Sequence, residues 1–582
     1  MNWAKTSRTP IPGGPHDSSA ESRIGVKFRR VLCGSGVGPG TRPCSIEAEL
    51  HFPKTFSAEL PYDVDPNKLA AALTLDLSTA ASQPPSEEIR VPKSQRLFDI
   101  FAWQAFLALN WPADESGNPD RNKTLADVGP RVWEFWIEPS HIFKLDGSDP
   151  DPWPKSLAQA QTPLARTKAA WTTTVRADQN LQAFSGPLVD QNGKWVRYQV
   201  KIYREEFDYL LQNKLYNLDG QIEFSRNSVV SFPIADPTTQ KRGAIELKMA
   251  WKELGSTDIP ARYYVVDGEV KNNDTGKFEP RKLGLVGMHI AMRTKSSPQW
   301  MWATFEHVDN VNANEFESGI GTNGKTVPLH ANFNSSAMPT MLPNVLPAKN
   351  AVLDVDTGLP REPRPGEPPN AWLERLTENP VQVTRVIPIP AATTSLNSEV
   401  QDLLRKVSGF RTGGSVFQYY ELIGAQWPVF PNSAAFPSGN GSAPESIIHK
   451  TPGSMVPVFV ANSTMETYFQ MGVQPAGPLA QDDRLMAGLV ADATQVFGTE
   501  SCVGCHYSSG IAVGYRTVNG QKQPVFGINS NDGRTGSANY SWLLQMEAKF
   551  KTTPQSAQKR HLYEAGGGES VVSRDTVQKD AK

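Results

Sequence analysis

Two cysteines and a histidine near residue 500 carry the strongest chemical signal in the chain: Cys502-Val503-Gly504-Cys505-His506. The thiols stand three positions apart, close to one helical turn. That spacing lets them add to the two vinyl groups on adjacent edges of one porphyrin. The histidine immediately after the second thiol is then held beneath the iron, where an imidazole nitrogen serves as axial ligand. The pattern therefore predicts covalent attachment of a single haem c, with Cys502 and Cys505 as thioether positions and His506 as proximal ligand. Two other chemistries use such a pair. A zinc knuckle needs two further Cys or His ligands at matching spacing, and the chain holds no second C-x-x-C. A thioredoxin-like redox pair sits between strand and helix in a βαβ unit, which the surrounding helical pattern does not offer.

The sixth iron position is the next question. Met546 is the one methionine downstream of His506. Its distance along the chain suits a distal ligand of a small cytochrome c, but SWLLQMEAKF reads as a helix in which a core methionine is the plainer account. Met465, Met471, His449, Met338 and Met341 are further candidates, each individually readable as core or surface. An open sixth position is the remaining option, and it separates an electron carrier from an enzyme.

A second group of ligand-type residues lies in a predicted hairpin, where residues with numbers summing to about 593–596 should face one another. His289 then lies near Glu306 and His307, with Asp309 just beyond. Two histidines and carboxylates can hold a non-haem metal or supply acid–base groups. Glu306 and His307 point to opposite faces of a strand, however, so convergence needs a bulge. Trp300 and Trp302 alternate onto one face and read most simply as core. No phosphate loop, dinucleotide fingerprint, nucleophile elbow or H-E-x-x-H occurs.

The elements that must position these residues follow from periodicity. Residues 1–93 are polar and rich in Pro and Gly, a loop-rich extension with one short helix at Asn67–Leu77. Cys33 and Cys44 fall here, and spacing leaves a disulfide and two free thiols equally open. Helical spacing marks Ser94–Leu109, a helix or turn at Val132–Ile137, Tyr203–Tyr216, Ala371–Thr377, Ser395–Lys406, Asp482–Phe497 and Ala538–Phe550. Ser463 and Glu466, three apart, read as a capping box opening another helix. Strands are predicted at 245–252, 263–266, 282–293 and 299–308, forming an antiparallel sheet of sequence neighbours. Residues 309–372 read as long surface loops. The expected fold is α+β: a large mixed body over 94–480, a mainly helical, cytochrome c-like haem segment over 481–552, and a mobile tail over 553–582.

Bulk properties exclude some functions. A formal net charge of −2 leaves no excess of Lys and Arg to neutralise nucleic acid. No apolar stretch approaches the roughly 20 residues of a membrane span. Residues 1–25 carry no apolar core and do not read as a secretory signal. Bacterial haem attachment nevertheless takes place outside the cytoplasm, so the expectation is an exported protein, periplasmic or extracellular, whose written start differs from the natural one.

Four phrases carry a wider resemblance: FDIFAWQAFLALNWPAD (98–114), LVGMHIAMRTKSSPQWMWATFEHVDN (285–310), ANSTMETYFQ (461–470) and SCVGCH (501–506). Together they resemble a family of large, poorly characterised bacterial monohaem cytochrome c family proteins with a single C-terminal C-x-x-C-H. The resemblance spans roughly 94–550 and implies haem c and export, without a substrate. The helix leading into the motif is similar to the opening of class I cytochrome c domains. The functional expectation is a c-type cytochrome moving single electrons to a redox partner protein. The alternative is a haem-dependent oxidoreductase, with an open distal site in the large body for a small oxidant or substrate.

Overall fold

The computed structural model describes residues 51–80, 91–155, 188–271, 278–335, 343–344, 380–410, 413–431, 455–457, 459–467, 502–506, 509–518, 520–527 and 536–552. All of them fall in one unit, 47–582. Two helices open it, α1 (Pro66–Ala80) and α2 (Pro92–Leu109). Pro92 stands in the first turn of α2, where its missing N–H costs nothing. The helix ends at Asn110, whose side-chain amide donates to Phe106 O at 2.8 Å, while Trp133 Nε1 donates to Asn110 Oδ1 at 3.1 Å. Further along lie α3 (Arg204–Gln212), α4 (Leu218–Ser225), α5 (Ala391–Arg405), α6 (Cys502–His506) and α7 (Leu543–Met546).

The main sheet is built from β1 (Arg197–Ile202), β2 (Ile245–Glu253), β3 (Val265–Lys271), β4 (Phe278–Met292), β5 (Met301–His307), β8 (Tyr420–Pro428) and β9 (Met455–Val456). It is antiparallel throughout, in the order β1-β2-β4-β5-β8-β9 with β3 also paired to β4. Strands β2 to β5 are the four expected from alternation. The β4–β5 register runs from Gly287↔Glu306 to Met292↔Met301, pairs summing to 593 as the hairpin reading required. The chain is thus α+β.

Because strand side chains alternate, the two faces of this sheet differ in kind. One presents Leu247 and Met249 (β2), Met288 and Ile290 (β4), Ala303 and Phe305 (β5) and Leu422 (β8), all buried under α2 and α5. Phe106 stacks on Phe305 at 4.2 Å, and Trp103 meets the same ring edge-on at 5.0 Å. Each fully buried side chain of this layer contributes about 1.5–3 kcal/mol. The opposite face carries Glu246 and Lys248, His289 and Ala291, Trp302, Thr304 and Glu306, then Gly424 and Gln426. That mixed, polar face receives the cysteine motif.

Several expectations change. Residues 51–80, assigned to a loop-rich extension, give Phe52, Val64 and Leu69 to the main core. The 309–372 region contains a small hairpin, β6 (Ser318–Ile320) with β7 (Thr326–Pro328). No α-helix opens at Ser463 within the described residues. Asn462 Oδ1 accepts from the Thr464 N–H and hydroxyl, and Glu466 Oε2 accepts from the Asn462 N–H at 2.8 Å. Ser463 instead gives both its donors to the buried Glu306 carboxylate. A buried carboxylate out-competes a cap, since each of its unmet acceptors is costly. The helices expected at 371–377 and 482–497, and Cys33 and Cys44, lie outside the described residues.

Candidate haem-attachment site

Residues 502–506 form a single helical turn, α6, so positions 502, 505 and 506 share one face. The turn is fixed through Val503, which is fully buried. Its N–H donates to Gln426 Oε1 at 2.9 Å, and Gln426 Nε2 donates to Pro457 O at 2.7 Å. Gln426 thus anchors the first turn of the motif to β8, meeting one amide that a helix start leaves without an intrahelical partner. Cys502 is partly buried and carries a thiol.

His506 lies on Trp302, ring centroids 4.4 Å apart with the planes at 45°. Its Nδ1 is 2.7 Å from the Tyr540 carbonyl oxygen. A carbonyl only accepts, so Nδ1 carries the hydrogen and donates, and the neutral ring keeps its lone pair on Nε2. Burial pushes the imidazole down to about 4 against the hydrogen bond to Tyr540 O, with lesser lowering by Lys248 and His289 and a smaller opposing contribution from Glu466. The ring is therefore neutral at physiological pH. Imidazoles that ligate metals characteristically donate their second N–H to a carbonyl or carboxylate, which sets tautomer and orientation.

Tyr540 is aimed by an unusual backbone. Asn539 and Tyr540 have φ of 50° and 75°, and Trp300 opposite them has 66°. Such left-handed residues cost on the order of 1–3 kcal/mol each and persist only when their surroundings fix them. Trp300 Nε1 donates to Asn539 O at 3.0 Å, and Asn539 Oδ1 accepts from Phe232 N–H at 3.2 Å. The same φ values stop the helix expected from Ala538, leaving the short α7. Met546 ends α7 with its side chain 46% exposed, while Leu544 is the residue buried.

The described C-terminal residues also contain a hairpin, β10 (Ala512–Val518) with β11 (Gln521–Phe526), where a mainly helical segment was expected. They share one core with the body: Val503, Ile511, Ala512, Ala538 and Leu544 pack with Phe207, Leu215, Phe232, Trp300 and Trp302. Gln221 of α4 ties the two, donating to Leu215 O and Leu544 O and accepting from Ala512 N–H.

The second ligand group does not converge. His289 Nε2 lies 3.5 Å from Glu466 Oε2. Glu306 is fully buried and held by Arg385 Nη2 at 2.7 Å and by Ser463. His307, on the other face, donates from Nε2 to Arg262 O at 3.0 Å and stacks on Tyr263 at 4.3 Å. Burial pushes it down to about 4. Asp309 pairs with Arg262 at 2.6 and 2.7 Å. Among the described residues no three His, Cys, Asp or Glu side chains come together as a metal-ligand set. Met465 is core, packed with Val286 and Tyr198; His449, Met471, Met338 and Met341 lie outside the described residues.

Sequence reasoning missed Gln426 and Tyr540, and it set His289 beside Glu306 and His307 where the structure sets it 3.5 Å from Glu466. Alternation placed Lys248 on the face opposite Leu247 and Met249, where it stands beside His289 and over the Tyr198 ring, but it could not bring in Glu466 from chain far downstream. No family model, curated protein or solved structure matches the chain. No helix among the described residues is long and apolar enough to cross a membrane.

Proposed function

We propose that this chain carries one covalently attached haem c, with Cys502 and Cys505 as thioether positions and His506 as proximal ligand, and that it transfers single electrons. The observation that carries the reading is the hydrogen bond from His506 Nδ1 to Tyr540 O, which leaves Nε2 as the ring's lone pair. The bound group would supply a one-electron couple. The protein's own part is to hold the imidazole between Trp302 and Tyr540, keep it neutral by burial, and anchor the cysteine turn through Gln426. The partner is a redox protein, and the compartment is extracytoplasmic, where bacterial haem attachment takes place. The resemblance to large bacterial monohaem cytochromes c agrees with this reading.

A second reading, a haem-dependent oxidoreductase with an open distal site, is favoured by one feature. His289 is diagonal to Trp302 across the β4–β5 pair, next to Lys248 on β2 and 3.5 Å from Glu466. An acid, a base and a cation beside the imidazole are groups an electron carrier does not require. Absorption spectra of the ferric and ferrous protein, with and without carbon monoxide, separate the two. Six-coordinate low-spin iron indifferent to carbon monoxide supports electron transfer; high-spin iron that binds it supports the enzyme.

A further inference from the structure

Lys252, the last residue but one of β2, has no exposed surface. Its Nζ donates to Asp258 Oδ1 at 2.7 Å and to Asn332 Oδ1 at 3.0 Å, and Asp190 Oδ2 lies 3.6 Å away. Asp190, Asp258 and Asn332 are themselves at most 2% exposed. Buried ion pairs are a poor source of stability, because desolvation can exceed the attraction they gain. The amide beside the amine points to chemistry instead. Asn332 Oδ1 accepts from the Tyr263 hydroxyl at 2.7 Å as well as from Nζ, while Nδ2 donates to Asn310 Oδ1 at 3.0 Å. Two donors on one carbonyl oxygen draw charge from its carbon, as an oxyanion hole does. That carbon, Cγ, stands one carbonyl bond, about 1.2 Å, behind the oxygen Nζ already touches. An amine so placed has the rate advantage of an intramolecular reactant. Asp258 is steadied for the first proton transfer, its Oδ2 accepting from Asn192 Nδ2 and Gly255 N–H at 2.7 Å. Asp190 Oδ2, buried and without a hydrogen-bond partner, is a second proton acceptor beside the same amine. Burial pushes the Asp190 carboxyl up to about 6, against Lys252.

We propose that Lys252 and Asn332 join spontaneously through an intramolecular isopeptide bond, releasing ammonia. The Lys252 ammonium passes one proton to Asp258, and the free amine attacks Asn332 Cγ. The Nζ–Cγ bond forms and the Cγ–Nδ2 bond breaks. Of the three ammonium protons, one stays on the two aspartates, one is relayed through them to the leaving nitrogen, and one remains on the new amide. Nothing is oxidised or reduced. The bond would close a loop of chain that holds β3, β4 and β5, tying β2 to the chain beyond β7. It goes beyond the haem reading and is independent of it.

The test is a tryptic peptide map of the full wild-type chain, read by tandem mass spectrometry. A branched peptide joining Lys252 to Asn332, lighter by one ammonia than its two parts, is the expected result. The denatured wild type should also run faster on a gel than Lys252→Arg, which keeps the charge but offers no amine to attack. Asp258→Asn should leave the branched peptide absent or greatly reduced. Lys252 and Asn332 recovered only in separate linear peptides would overturn the proposal, and so would an Asn332 that has merely deamidated or closed to a succinimide. The wild-type map decides even where a variant fails to fold, and it reads the same with haem attached or not.

Discussion

His506 donates from Nδ1 to the carbonyl oxygen of Tyr540 over 2.7 Å. A hydrogen bond to backbone cannot be altered by changing the acceptor's side chain, so the imidazole's tautomer is written into the loop's conformation. That loop is held in a left-handed bend by Trp300 and Phe232, both parts of the body. The cysteine motif is thus oriented by residues some two to three hundred positions upstream.

Trp302 forms the floor under the imidazole. Trp302→Ala removes a nearly buried indole from the shared core and should cost about 3–5 kcal/mol. Trp302→Phe keeps an aromatic ring but loses volume and the Nε1–H bond to Gln299 O, so it should cost less than the alanine, on the order of 2 kcal/mol. Urea unfolding of both variants beside wild type checks the order. Equal losses would mean that the ring's contact with His506 and its neighbours is dispensable.

Gln426 links β8 to α6. Gln426→Leu leaves the Val503 N–H and Pro457 O without their partner inside the protein, at a cost of about 2 kcal/mol. The Val503 amide should then exchange with solvent at least tenfold faster, as hydrogen exchange reports, while amides of α5 change only with global stability.

Asp99 gives a pH dependence of defined sign. The side chain is buried in α2, accepting from Gln95 and Thr393, and burial pushes its carboxyl up to about 6 against partial lowering by those bonds. The folded state therefore holds the proton more tightly than the unfolded one. The contribution is complete below the ordinary Asp value near 4 and is lost as pH rises through about 6. Relative to Asp99→Asn, wild type should lose on the order of 3 kcal/mol between these limits, from the per-unit value of a pKa shift. Denaturation at several pH values measures it, and parallel curves for the two proteins would contradict the assignment.

The legible part of this molecule is its local part. Helix α2 follows from Leu97, Phe98, Phe101, Phe106 and Leu109, and the β4–β5 register from alternation about a short turn at Ser296–Pro298. Strand β8 was not legible as a partner of β5, because its run YELIGAQWP (420–428) lies over a hundred residues downstream and period alone does not choose a neighbour. The β10–β11 hairpin did leave a sign: Asn519-Gly520 between two alternating runs is a strong short-range turn signal. At the site, C-x-x-C-H carries the proposed haem chemistry, but Tyr540 acts through its backbone and no residue type announces that. Ser463 looks like a cap in the sequence because its true partner, Glu306, is a buried carboxylate from a distant strand.

The central claim is a covalent bond between this chain and haem, and mass spectrometry of the denatured protein tests it most directly. Protein produced in a host with working haem-attachment machinery and an export signal should carry the mass of the chain plus one haem and stain for haem on a denaturing gel. Cys502→Ala with Cys505→Ala should return it to the mass of the polypeptide alone. A wild-type protein matured in that way that comes out colourless, at bare-chain mass, contradicts the account.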